Sequence, residues 1–175
     1  MLAAALIAGC AAIPDDAPVV EELDTDTGLT ITRLGTPVEL YRETFRKDAT
    51  GRFAFLGPFE TNLMGTRELF LWIALPVENL AGTTPPTILV DGTALTLGEP
   101  GRTPDFAALR KSPYKIPTPW IAMYYFRLDN ESLARLGAAH SLEFDVQEQT
   151  KEGMRRLEYK TQLEADPRLG AFVAR

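Results

Sequence analysis

Residues 68–75 read ELFLWIAL, and from Leu69 to Leu75 no position is polar. Successive side chains of a strand point to opposite faces, so a strand with this sequence has no face to turn to water. It must be covered on both sides. Residues 120–126, WIAMYYF, repeat the pattern. The two runs are expected to be central strands, with Trp72 and Tyr124 or Tyr125 supplying large buried surfaces. Core packing accounts for these aromatics better than ligand stacking does.

Around them lie shorter segments with strand character. GLTITRL (28–34) alternates Leu29 and Ile31 with Thr30 and Thr32, and VELYRETF (38–45) places Val38 and Leu40 on one face. KDATGR (47–52) offers a hairpin turn before RFAFLGPF (52–59). PTILVDGTALTLG (86–98) reads as a hairpin through Asp91 and Gly92. HSLEFDVQEQT (140–150) sends Leu142, Phe144 and Val146 inward against Glu143, Asp145, Gln147 and Gln149. RRLEYKTQLE (155–164) closes the series. Turn signals every ten or so residues predict an all-β chain folded as a single antiparallel β-sandwich, immunoglobulin-like or related, with one or two short helices. DNESLARLGA (129–138) has the pattern of one such helix, capped by Asp129 or Asn130, with Leu133 and Leu136 on one face and Gly137 as its stop. In FLGPFETNLMGTRE (55–68), Gly57-Pro58 and Asn62 are expected to break a strand and put Phe59 at a corner.

With 175 residues, 45% of them hydrophobic, the chain can bury one core. Its net charge of −6 is concentrated. Asp15, Asp16, Glu21, Glu22, Asp24 and Asp26 precede the first base, Arg33, and the other 18 acids balance the 18 Lys and Arg. Residues 10–27 therefore read as an acidic tether and 28–175 as the folded body. No basic surface of the kind that phosphate backbones require is evident, which argues against nucleic-acid binding. DTDTG (24–28) resembles the opening of a calcium loop with Asp24 and Asp26 as ligands, but Gly35 stands where the bidentate Glu belongs, so a solvated acidic turn is the better reading.

The chain begins MLAAALIAGCAAIPDD, with its one cysteine at the end of the apolar run. Leu6-Ile7-Ala8-Gly9-Cys10 resembles the lipobox of bacterial lipoproteins. The resemblance implies cleavage before Cys10, with residues 1–9 a signal-peptide remnant, and acylation of the Cys10 thiol, which would anchor the protein in the cell envelope facing the periplasm. Ala11, where an aspartate would favour retention at the inner membrane, leans toward the outer membrane. The run departs from a secretory signal in having no basic residue before it. The alternative is an apolar segment packed on the core around a buried thiol.

Counting restricts the chemistry. The single histidine, His140, sits between a helix stop and a strand; a triad would need a distant serine, and no G-x-S-x-G elbow is present. Zinc sites built on Cys and His are excluded by number, and no Gly-rich phosphate loop implies a cofactor. Glu143 and Asp145, two apart on one strand face, satisfy the spacing of paired glycosidase carboxylates, yet the face continues as Gln147 and Gln149, an ordinary polar exterior.

The best binding candidate is GEPGRTPDFAALRKSPYKIPTPW, Gly98 to Trp120, long for a loop in a compact domain. A helical turn is expected at Pro104, followed by a proline-stiffened run displaying Arg110, Lys111, Tyr114, Lys115 and Trp120 to a partner. Alternatively the segment is a crossover on which Tyr114 and Trp120 cover core. The role expected from these features is a membrane-anchored binding or assembly module, not an enzyme, with an envelope protein as partner. An envelope glycan hydrolase, or a sandwich holding an apolar ligand between Trp72 and Trp120, are the rivals.

Overall fold

The computed structural model describes residues 18–42, 53–77, 79–115, 121–161 and 166–175. They form ten strands, all paired antiparallel: β1 (Val19–Asp24), β2 (Leu29–Leu34), β3 (Val38–Tyr41), β4 (Phe53–Leu63), β5 (Thr66–Pro76), β6 (Thr87–Val90), β7 (Thr93–Ala94), β8 (Ile121–Leu128), β9 (Leu142–Thr150) and β10 (Gly153–Lys160). Two short helices, α1 (Asn130–Gly137) and α2 (Pro167–Val173), complete the framework. The fold is all-β and sandwich-like, as the alternating segments predict.

The organising strand is β4. Along one edge it pairs with β5 from Phe55 to Leu63. The other edge is shared: Phe59–Asn62 pair with β2 and Phe53–Leu56 with β3. The sheet continues outward through β1 beyond β2, through β8 beyond β5, and through β10, β9, β6 and β7 beyond β3. It is one sheet that folds over itself. Tyr124 on β8 donates its hydroxyl to Thr84 O at 3.0 Å, just before β6, and Tyr159 on β10 reaches Pro76 O at the end of β5.

Register and the two-residue period place Leu56, Leu71, Ile73, Leu75, Tyr124 and Phe126 on the inner face, in one buried cluster with Leu40, Ile88, Phe144, Val146, Leu157 and Tyr159. Phe59, Phe70, Trp72 and Tyr125 occupy the opposite face, and they too are buried. The two-sided apolar character of β5 is thus met by the folded-over sheet on one side and by residues 101–115, called the strap below, on the other.

Two expectations are corrected. Residues 19–24, expected within the tether, are an edge strand in full register with β2, so the described body starts before residue 28. Gly57-Pro58 does not break a strand; β4 runs through it, and Phe59 is buried inside the strand rather than at a corner. Proline fits because β2 leaves the β4 edge and β3 joins it at this point, so the missing N–H costs no ladder bond. α1 ends at Gly137, as expected, but with no left-handed residue there: a Cβ on Gly137 would meet Val173 Cγ2 of α2 at 2.4 Å, so glycine permits the close α1–α2 contact. The cap at the start of α1 is Asp129, whose carboxylate accepts from Ser132 N at 2.7 Å. The turn expected at KDATGR, Cys10, Trp120 and most of the expected tether lie outside the described residues.

Candidate functional site

The strap is fastened to the sheet at both ends by groups that the sequence supplies at single positions. Gly101 exchanges two backbone hydrogen bonds with Tyr125, each 2.9 Å. Any Cβ on Gly101 would fall 2.2 Å from the Phe106 ring, so only glycine lets the strap run this close. Next comes the helical turn expected at Pro104, a 3-10 turn over Pro104–Ala107. It seats Phe106 edge-on to Phe70 at 6.3 Å, with the Arg127 guanidinium over both rings.

The far fastening is Tyr114. Its ring is 3% exposed and packs 5.0 Å from Trp72 and directly over Gly57, where a Cβ would meet ring atoms at 2.3 Å. Its hydroxyl accepts from Leu34 N at 3.2 Å and donates to Pro58 O at 2.5 Å. Leu34 and Pro58 would be the next partners of the β2–β4 ladder beyond Arg33 and Phe59. The tyrosine hydroxyl therefore replaces a ladder link at the place where β2 departs. Burial pushes the Tyr114 hydroxyl pKa well up, against the pull of the Leu34 N–H and Arg33, so it stays protonated and able to donate. Tyr114 is a core fastening, and the expectation that the strap displays it to a partner is corrected. The crossover alternative describes it.

Between the fastenings the strap presents its charges. Ala108 takes a left-handed conformation, φ 57°, and turns the chain so that Leu109 is buried while Arg110 and Lys111 stand at the surface. Arg110 Nη1 lies 2.5 Å from Asp26 Oδ2, and Lys111 Nζ lies 3.2 Å from Glu22 Oε1. The acids of β1 and its turn thus meet the bases of the strap. All four side chains remain substantially exposed. The four line a cleft of about 280 Å³ together with Ile31, Leu109 and the largely exposed Leu23. Asp24 folds back on its own turn, accepting from Asp26 N at 3.1 Å; although partial burial opposes it, this bonding to Asp26 and Thr27 keeps its carboxyl below the ordinary value. Lys115 is exposed.

Of the expected contact residues, the structure brings Arg110 and Lys111 together at one cleft, leaves Lys115 apart at the surface, and withdraws Tyr114. Trp72, proposed to flank an apolar ligand, has its neighbouring space taken by Tyr114. Glu143 and Asp145 are each tied to a base of β10: Lys160 lies 3.2 Å from Glu143, and Arg156 grips Asp145 with two bonds of 2.9 and 2.7 Å. His140 is exposed, 3.7 Å from Asp91. Ser141 directs its hydroxyl to Asp91 rather than to the imidazole, and Asp91 also takes the His140 and Ser141 N–H groups. These bonds tie the β6–β7 turn to the start of β9 and assemble no nucleophile–base relay.

Two buried carboxylates carry no expectation from the sequence. Glu60, 6% exposed, receives Arg67 through two bonds of 2.8 Å and Arg175 at 3.2 Å. Glu148, fully buried, accepts from Asn79 N at 2.8 Å and from Arg155. The inward phase of Leu142, Phe144 and Val146, extended by one step, was the signal for Glu148. Beside it, Asn79 and residues 149–155 line a wider cavity of about 720 Å³.

No protein-family model, curated protein or solved structure matches this chain.

Proposed function

We propose that the chain is a bacterial lipoprotein, anchored through acylated Cys10 to the envelope, outer membrane favoured, and serving there as a periplasmic binding or assembly module. The observation that carries this reading is the lipobox-like Leu6-Ile7-Ala8-Gly9-Cys10, followed within nine residues by the first strand of the body. Residues 11–18 span at most about 28 Å fully extended, so the body would work close to the bilayer. Two or three acyl chains, at about 0.8 kcal/mol per buried methylene, give stable attachment.

The contact surface in this reading is the strap cleft, through Arg110 and Lys111, with Lys115 nearby in the chain. What supports it is exposure: exposed ion pairs are worth little, so a partner's charges can replace Asp26 and Glu22 at small cost and then cover Leu23, which lines the cleft and is largely exposed. Intact mass of the protein recovered from its host's membranes tests the anchor. A mass matching an acylated chain that begins at Cys10 is expected, with Cys10→Ala shifting the protein to the soluble fraction. An unmodified thiol in membrane-recovered protein would refute the anchor. Arg110→Glu with Lys111→Glu is expected to abolish crosslinking to an envelope partner while lowering the melting temperature by only a few degrees.

A further inference from the structure

The sheet ends at β1, and the outward edge of that strand is open. In an antiparallel ladder every second residue turns its backbone groups toward the partner, and the residues between turn theirs away. Two bonds set the phase here. Gly35 N donates to Pro18 O at 3.3 Å, continuing the β1–β2 register, so Val20, Glu22 and Asp24 carry the bonds to β2. Leu34 N, opposite Val19, is committed to the Tyr114 hydroxyl on the β4 side, which gives the same phase. The N–H and C=O groups of Val19, Glu21 and Leu23 therefore point out of the sheet, and nothing among the described residues takes them up. Such an edge is ordinarily guarded by a very short strand, a bulge, a proline or a cover. β7 has two residues, and β8 is met along its outer edge by the strap at Gly101. β1 runs six residues in unbroken register with neither bulge nor proline. Its guard is charge.

Glu21 is exposed and has no ion-pair partner among the described residues, and Glu22 holds Lys111 only in an exposed pair. A second copy of β1, laid antiparallel with full overlap, would set these acids against one another and be repelled. A strand with Lys or Arg in those places would be attracted. We propose that the β1 edge binds an extended segment of a partner protein, which joins the sheet as a further strand with basic residues beside Glu21 and Glu22 and apolar residues beside Val19 and Leu23. The backbone ladder supplies affinity, and the two acids choose the partner. Leu23, 59% exposed, gains a neighbour. The strap cleft shares Leu23 with this edge, but its bases call for the opposite charge, so the edge site goes beyond the cleft and does not depend on it.

The test uses the full chain, isotopically labelled, and a backbone-cyclised β-hairpin peptide whose open edge carries Lys beside Glu21 and Glu22 and Val beside Val19 and Leu23. Saturable binding is expected, with amide exchange slowed at Val19, Glu21 and Leu23 and little changed at Val20 and Glu22, whose N–H groups already serve the ladder. N-methylation of the peptide's edge amides keeps its side chains and charge but removes hydrogen bonds, and should weaken binding by about tenfold or more. Glu21→Lys, at an exposed position, should weaken it by about tenfold. Arg110→Glu with Lys111→Glu frees Glu22 and should leave the affinity unchanged or raised. A fall in that variant would place the peptide in the strap cleft and overturn the proposal. Equal binding of the N-methylated peptide would reduce the contact to charge alone and overturn it too, as would unslowed exchange at the three amides in millimolar peptide.

Discussion

Replacing Tyr114 with phenylalanine removes one oxygen atom from the described body and should cost more than almost any other isosteric change in it. The ring stays, so its packing on Trp72 and over Gly57 is retained. What is lost is the bridge from Leu34 N–H to Pro58 C=O, both buried between strands that do not otherwise pair there. Each stranded backbone group costs about 1–3 kcal/mol, and the easier burial of phenylalanine returns part of the sum, leaving a destabilisation of about 2–4 kcal/mol. For a body of this size, each kcal/mol lowers the melting temperature by about 2–4 °C, so a fall of about 5–12 °C is expected. Urea unfolding followed by circular dichroism gives the free energy, with an unchanged m value showing that the native surface is intact. Tyr41→Phe is the control, because Tyr41 lies half-buried on β3 beside Phe53 and makes no such bridge. A Tyr114→Phe protein within about 0.5 kcal/mol of wild type, or no worse than the Tyr41 control, would refute the role given to the hydroxyl.

The same fastening predicts that Gly57→Ala, whose new methyl would lie 2.3 Å from the Tyr114 ring, destabilises by about 1–3 kcal/mol or more, and that it is milder in a Tyr114→Ala background; additive effects in the double variant would contradict the packing. Arg110→Ala and Lys111→Ala should each cost less than about 1 kcal/mol, with the small loss vanishing in high salt, because both pairs are exposed; urea midpoints at two ionic strengths decide it. Alkaline titration followed by tyrosinate absorbance should show Tyr114, Tyr124, Tyr125 and Tyr159 ionising late, since burial raises all four, Tyr159 to about 12. A raised folded pKa favours the protonated native state, so this contribution is complete below about pH 10 and is lost as pH climbs toward 12. Ionisation of all five tyrosines near pH 10 without unfolding would contradict it.

What the sequence made legible was periodic or local. ELFLWIAL announced a strand covered on both sides, Asp91-Gly92 marked a tight turn that the structure places between β6 and β7, and Pro104 marked the start of a helical turn. Other features were obscured by the same logic. β1 is VVEELD, and an edge strand needs only Val19 and Val20 half-buried, while Glu21 and Glu22 stand in water, where charge discourages unwanted pairing. By composition that is a tether. Gly57-Pro58 reads as a break because its licence to sit in a central strand comes from a strand exchange that no local pattern records. Tyr114 lies 80 residues from Leu34 and 56 from Pro58, so its partners are set by topology alone.

The placement of β1 also changes what the strap's charges can do. Read along the chain, residues 98–120 carry two more bases than acids, and a free cationic contact follows. In the folded body Glu22 and Asp26 stand against Lys111 and Arg110, and Arg33 lies 3.8 Å from Glu22, so much of that charge is already balanced. A partner that offered only acidic groups would exchange one exposed pair for another and gain little. Affinity at this cleft must come from covering its exposed apolar lining, Leu23, since Ile31 and Leu109 are already buried, with charge exchange setting orientation and partner choice. Binding of that kind would weaken only modestly in salt, whereas attachment through a free basic patch would weaken steeply.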